Sequence, residues 1–138
     1  MKSDSHATPY ERLGGESRLR ELVERFYDLM DLEPGYAALR RAHPGTLETG
    51  RERLFKFLSG WLGGPPLYTD EFGHPMLRAR HLSFAIGSTE RDQWMACMAQ
   101  AMEELGVDEL LRLQLHGALF KTADWMRNRP DQETPPER

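Results

Sequence analysis

With 138 residues, 39% of them hydrophobic and 29% charged, the chain has the size and balance of one globular domain rather than two. A net charge of -4, with arginines scattered in pairs such as Arg40-Arg41 and Arg78/Arg80, argues against a nucleic-acid binder, which needs a concentrated basic patch. The single cysteine, Cys97, excludes an intrachain disulfide, and no apolar run approaches the roughly 18 residues of a membrane span. Residues 1–6 carry no apolar signal core, so the expected compartment is the cytoplasm.

Residues 1–8 and the tail 130–138 are polar and proline-bearing and are expected to be disordered, leaving one domain over 9–129. After Gly14-Gly15, Leu19, Leu22, Val23, Phe26 and Met30 recur at helical spacing and predict a helix from Ser17 to about Met30. Pro34-Gly35 ends it, and a short turn of helix over 36–41 precedes His43-Pro44. Leu47, Leu54, Phe57, Leu58, Trp61 and Leu62 share one side of a second helix over 47–62, which Gly63-Gly64-Pro65-Pro66 stops. Residues 67–73 read as a loop, and Pro75 as the first position of a short helix over 75–81. Ser88 or Thr89 caps a long helix; with Thr89 as cap, Asp92 takes the third position of a capping-box variant. Its apolar stripe is Trp94, Cys97, Met98, Ala101, Met102 and Leu105, ended by Gly106. The last helix spans about 108–128, with Leu111, Leu115, Ala118, Leu119, Thr122, Trp125 and Met126 inward. Helices without a strand pattern predict an all-α domain, packed as two crossed pairs or as a bundle.

The stretch Arg80-His81-Leu82-Ser83-Phe84-Ala85-Ile86-Gly87, followed by Trp94, is the most telling. A lone helical histidine is more often structural than a ligand. Here Leu77 and Arg78 lie one turn before His81 and Phe84 one turn after it. An apolar wall with one imidazole is what the proximal side of an iron porphyrin requires. The other ring nitrogen is then expected to donate to a backbone carbonyl. Tyr27 is either a rim residue with its hydroxyl in water or a donor aimed into a dry pocket, and Trp94 is either core or an indole donor. His43, at a helix–loop corner, is a loop histidine, a third distal donor, or a second axial ligand. Tyr68, Arg78 and Arg80 lie near the pocket edge, either as a solvated face or as partners for haem carboxylates, with Arg80 favoured over Arg78. His74, before Pro75, reads as a surface capping residue. The histidines and Cys97 have no zinc-like spacing.

Together these pieces resemble a truncated haemoglobin of group II over about residues 9–128. The resemblance rests on Gly14-Gly15, Phe26-Tyr27, Trp61-Leu62-Gly63-Gly64-Pro65, Gly73-His74-Pro75, Arg78-Ala79-Arg80-His81 and Glu90-Arg91-Asp92-Gln93-Trp94. It implies a two-over-two helical sandwich around haem b, with His81 as the metal ligand and Tyr27, Trp94 and His43 on the distal side. The expected haem contacts are Leu54, Phe57, Leu58, Tyr68, Leu77, Arg78, Arg80, Phe84, Ile86 and Trp94. Gly50 is expected to face the iron from the distal helix, with Thr49 as the alternative.

The implied function is binding of dioxygen, CO and NO, with peroxide or nitric-oxide dioxygenase chemistry and an unidentified reductase as extensions. Neither nucleic acid nor membrane is expected as a partner, and the assembly is expected to be a monomer or homodimer. The competing reading is a cofactor-free helical protein–protein interaction module whose core is filled by Trp61, Trp94, Trp125 and the seven methionines.

Overall fold

A computed structural model describes residues 7–76, 81 and 86–128. All regular elements among them are helical: α1 (Pro9–Leu13), α2 (Gly15–Leu32), a 3-10 turn (Pro34–Tyr36), α3 (Ala37–Arg41), α4 (Glu48–Trp61), α5 (Leu67–Phe72), α6 (Ser88–Glu104) and α7 (Glu109–Trp125). Helix α2 packs on both α4 and α6, and α6 packs on α7. The architecture is two helices over two, as in the 2-on-2 globins.

The long helices arise where apolar residues repeat with the helical period. From α2, Leu19, Leu22, Val23, Phe26 and Met30 are buried, as their spacing predicts. They meet Phe55 and Leu58 of α4 and Cys97, Met98, Ala101 and Met102 of α6 in one core cluster. Helix α7 contributes Leu111, Leu115 and Leu119. Asp108 caps it by accepting the Leu111 N–H.

Several local expectations are corrected. Thr8 is the cap of α1 rather than part of a polar tail: its hydroxyl accepts from the Glu11 N–H while the Glu11 carboxylate accepts from the Thr8 N–H. Helix α1 docks on the end of α4 through the Tyr10 N–H to the Leu62 carbonyl, 2.9 Å. The Tyr10 ring lies so close to Gly64 that a Cβ there would come within 2.5 Å of it. Residues 67–72 form helix α5, because Pro65-Pro66 not only stops α4 but opens the next helix. Pro75 is not helical. Met76 has φ 48 and donates its N–H to Nδ1 of His74, a turn that breaks a helix at that point. The cap of α6 is Gly87, whose N–H the Glu90 carboxylate accepts at 2.7 Å. Ala118 and Trp125 are exposed, because the buried line of α7 runs 111, 115, 119: Ala118 lies about 100° to one side of Leu119, and Trp125 on the far side of the helix from residue 123, where the line continues.

Leu77, Arg78, Arg80 and Phe84, and with them most of the predicted 75–81 helix, lie outside the described residues. So do residues 1–6 and 129–138. No described helix is long and apolar enough to cross a membrane.

Candidate functional site

Where a four-helix core would be filled, a cavity of about 410 Å3 lies between α4 and α7. Its walls are mostly apolar, with Leu54, Phe57 and Leu58 from α4 and Leu119 and Met126 from the end of α7. His81 and Ile86 border it, as do Tyr27, His43 and Trp94. The residues described among those expected at the site are therefore gathered in one place. The interaction-module reading predicts the opposite, a solid core around the tryptophans, yet Trp125 is 65% exposed and Trp94 faces the cavity.

The polar groups of one wall are set by the core behind them. The Phe26 ring is fully buried and meets Tyr27 and Trp94 edge-on, with centroids 5.0 and 5.2 Å away. Cys97, one turn along α6 from Trp94, donates its S–H to the Phe26 carbonyl at 3.2 Å. Burial pushes this thiol up to about 12, so it stays a weak donor and not a thiolate. Burial likewise raises Tyr27 above the ordinary phenol range, against the opposing pull of the Arg51 guanidinium. Its hydroxyl therefore keeps its proton and remains a donor. That hydroxyl sits against Gly50, where a Cβ would lie 3.0 Å from the oxygen. Thr49 and Gly50 both line the cavity, and it is Gly50 that lies against the phenol.

His43 is held by α3. Its Nδ1 lies 2.9 Å from the Leu39 carbonyl, an acceptor, so Nδ1 carries the proton. The Leu39 N–H in turn donates to Gln93 of α6 at 2.9 Å, which ties the His43 corner to the residue preceding Trp94. Arg40 binds the carbonyls of His43 and Gly45 and is anchored by Asp31. Burial lowers the His43 pKa, helped by the nearby charges of His81 and Arg40 against the Leu39 hydrogen bond. At neutral pH the ring is uncharged, so Nε2 bears a lone pair. The expected third donor is thus an acceptor at that atom until the ring is protonated.

Tyr68 lines the cavity but is buried, in edge contact with Phe57 at 6.4 Å. Of the two expectations for it, a solvated face or a partner for a haem carboxylate, burial excludes the first. Arg53, not among the expected contacts, borders the cavity with its guanidinium 4.8 Å above the Phe72 ring. It is exposed and suits a carboxylate at the cavity mouth. Asn128, just beyond α7, reaches both His81 and Ile86. Among the described residues no cluster of three or more His, Cys, Asp and Glu side chains gathers to hold a metal ion.

The sequence profile of the bacterial-like globins matches residues 8–128. The chain belongs to the bacterial-like globin family. This globin is 42% identical over 129 residues to a group 2 truncated haemoglobin of Bacillus subtilis, covering 94% of the chain and 95% of the relative. It superposes on a group II 2-on-2 haemoglobin of Agrobacterium tumefaciens with a TM-score of 0.88, at 40% identity, covering 95% of the chain and 100% of its counterpart. The truncated oxygen-avid haemoglobin of Bacillus subtilis matches with a TM-score of 0.80, at 43% identity, over 88% of the chain and 100% of that structure. The globin is thus a group II truncated haemoglobin whose cofactor is haem b, and it binds small ligands through that haem. The cavity fits the group: its mostly apolar walls suit a macrocycle, the imidazoles of His43 and His81 border it, and the Arg53 guanidinium at its edge has the charge to suit a carboxylate.

Proposed function

We propose that the globin binds dioxygen, CO and NO with His81 as the axial ligand, and holds dioxygen through Tyr27 and Trp94. The observation that supports this most is the pairing of Tyr27 and Trp94 around Phe26 on a cavity that His81 also borders. Bound haem supplies an open coordination position for a diatomic ligand and one-electron chemistry. The residues supply the rest. The Tyr27 hydroxyl, kept protonated by burial, and the donor-only indole N–H of Trp94 stabilise partial negative charge on a ligand. Leu54, Phe57 and Leu58 exclude water, which strengthens both hydrogen bonds. Two donors slow dioxygen release enough to favour sensing, scavenging or redox turnover over delivery.

A second reading follows from His43. With Nδ1–H committed to Leu39, its Nε2 is a base that accepts a proton from hydrogen peroxide. Turnover of peroxide or nitric oxide then requires electrons from a separate reductase in the cytoplasm, the compartment we assign to the protein. Stopped-flow dioxygen release tests the main reading. Tyr27→Phe and Trp94→Phe should each quicken release about 10- to 100-fold, since a hydrogen bond to a charged group is worth about 1.5–3 kcal/mol. Rates equal to the parent in both variants, and in the double variant, would remove these donors from the function. Peroxide-dependent oxidation that survives unchanged in His43→Phe would remove the second reading.

A further inference from the structure

Asn128 hydrogen-bonds to both His81 and Ile86. Its Nδ2 donates to the His81 carbonyl at 3.2 Å. Its Oδ1 accepts the Ile86 N–H at 3.0 Å. Its own backbone N–H donates to the Ile86 carbonyl at 2.8 Å. The side-chain amide is oriented by this arrangement, since only its NH2 end can face a carbonyl and only its oxygen can face an N–H. One residue therefore ties both ends of the stretch from 81 to 86. It stands just past α7, whose Leu119 and C-cap Met126 line the same cavity. Gly87 and Ser88, which follow Ile86, open α6, the helix that carries Trp94.

We infer that Asn128 is a positioning residue for the axial histidine. It holds the His81 backbone at a set position beside the cavity, and joins it to the cavity wall of α7 and the first turn of α6. This rests on the reading of His81 as the ligand. The physical reason is that an imidazole on a short side chain can set its nitrogen no better than its own backbone is held. Outer partners of metal ligands matter for that reason. Asparagine is the side chain that suits the place: aspartate keeps the acceptor for Ile86 but turns a second acceptor toward the His81 carbonyl, and alanine loses both side-chain bonds.

The test compares haem-loaded parent, Asn128→Asp and Asn128→Ala. Hydrogen exchange at the Ile86 amide should stay slow in Asn128→Asp, showing that this variant removes the His81 bond selectively. In the ferrous, ligand-free protein, the iron–histidine stretching band should shift or broaden in both variants. Haem transfer to an excess of a competing apoglobin should quicken about 10- to 100-fold, the range that outer partners of a metal ligand carry. A band at the parent position and width in both variants overturns the inference, even if thermal stability falls, because a merely structural asparagine would lower stability without touching that band. A His81→Gly protein run alongside separates the two ideas. If it keeps the parent band and parent haem loss, the ligand assignment itself fails; if it loses them while the Asn128 variants do not, only this inference fails.

Discussion

Tyr27 and Trp94 reach the cavity from two long helices and are braced by one buried ring, with Phe26 in edge contact with both. His81 reaches it differently, its carbonyl held by an asparagine 47 residues away. The wall that carries Tyr27 and Trp94 is thus a product of the hydrophobic core: the residues that fold α2 onto α6 are those that place these two side chains. The His81 side is tied by directional hydrogen bonds from a residue beyond the last helix. Damage to the first wall should cost stability together with ligand control, and damage to the second should cost haem retention with little loss of fold.

Phe26→Ala tests the first half most severely. A fully buried phenylalanine truncated to alanine typically costs about 3–5 kcal/mol, so urea unfolding of the haem-loaded protein should shift by that amount and dioxygen release should quicken as well. If stability falls while release stays at the parent rate, the donors are not held by the core and the contrast between the walls is lost. Gly50→Ala is a smaller and cleaner perturbation. Alanine gains about 1 kcal/mol of helix propensity over glycine, yet its Cβ would lie 3.0 Å from the Tyr27 oxygen. Stability should hold or rise while dioxygen release quickens about tenfold, the lower end of one lost hydrogen bond to a charged group. Unchanged release would mean the phenol does not depend on that empty position.

The effect of His43→Phe on stability should be the smallest, and it appears only in acid. The folded-state pKa of His43 lies below its ordinary value of about 6.5, mainly through burial, with His81 and Arg40 adding to it and the Leu39 bond and neutral Tyr27 ring beside it. The unfolded chain therefore takes up this proton first as pH falls. The parent should lose stability from about pH 6.5 downward through the lower folded-state value, with no contribution above that window. Urea unfolding followed across that range should be flatter in the variant. An equal slope in both would show that His43 is not kept neutral.

The contrast also explains what could be read from the sequence. The long helices are legible because the 3.6-residue period of α2 and α6 is local information, and Phe26-Tyr27 and Trp94, which the structure brings to one cavity wall, sit within it. The cap of α6 is not legible in the same way, because Gly87 offers no capping side chain and the Glu90 carboxylate alone serves its N–H. The His43 protonation pattern depends on the Leu39 carbonyl, and the cavity-facing place of Arg53 depends on how α4 is rotated, neither of which a spacing rule reports. Asn128 was invisible for a plainer reason. Its partners lie 42 and 47 residues away, and an asparagine after a helix reads as an ordinary helix end. Leu77, Arg78, Arg80 and Phe84 remain expectations from the sequence.

The proposed function requires the imidazole of residue 81 to carry the iron, and replacing it with a ligand from solution tests this most directly. Haem titrated into the protein should give an intense Soret band saturating at one equivalent. His81→Gly should fail to reproduce that spectrum or hold haem, and added imidazole should restore both. A glycine variant that binds haem with the parent spectrum and does not respond to imidazole would contradict it.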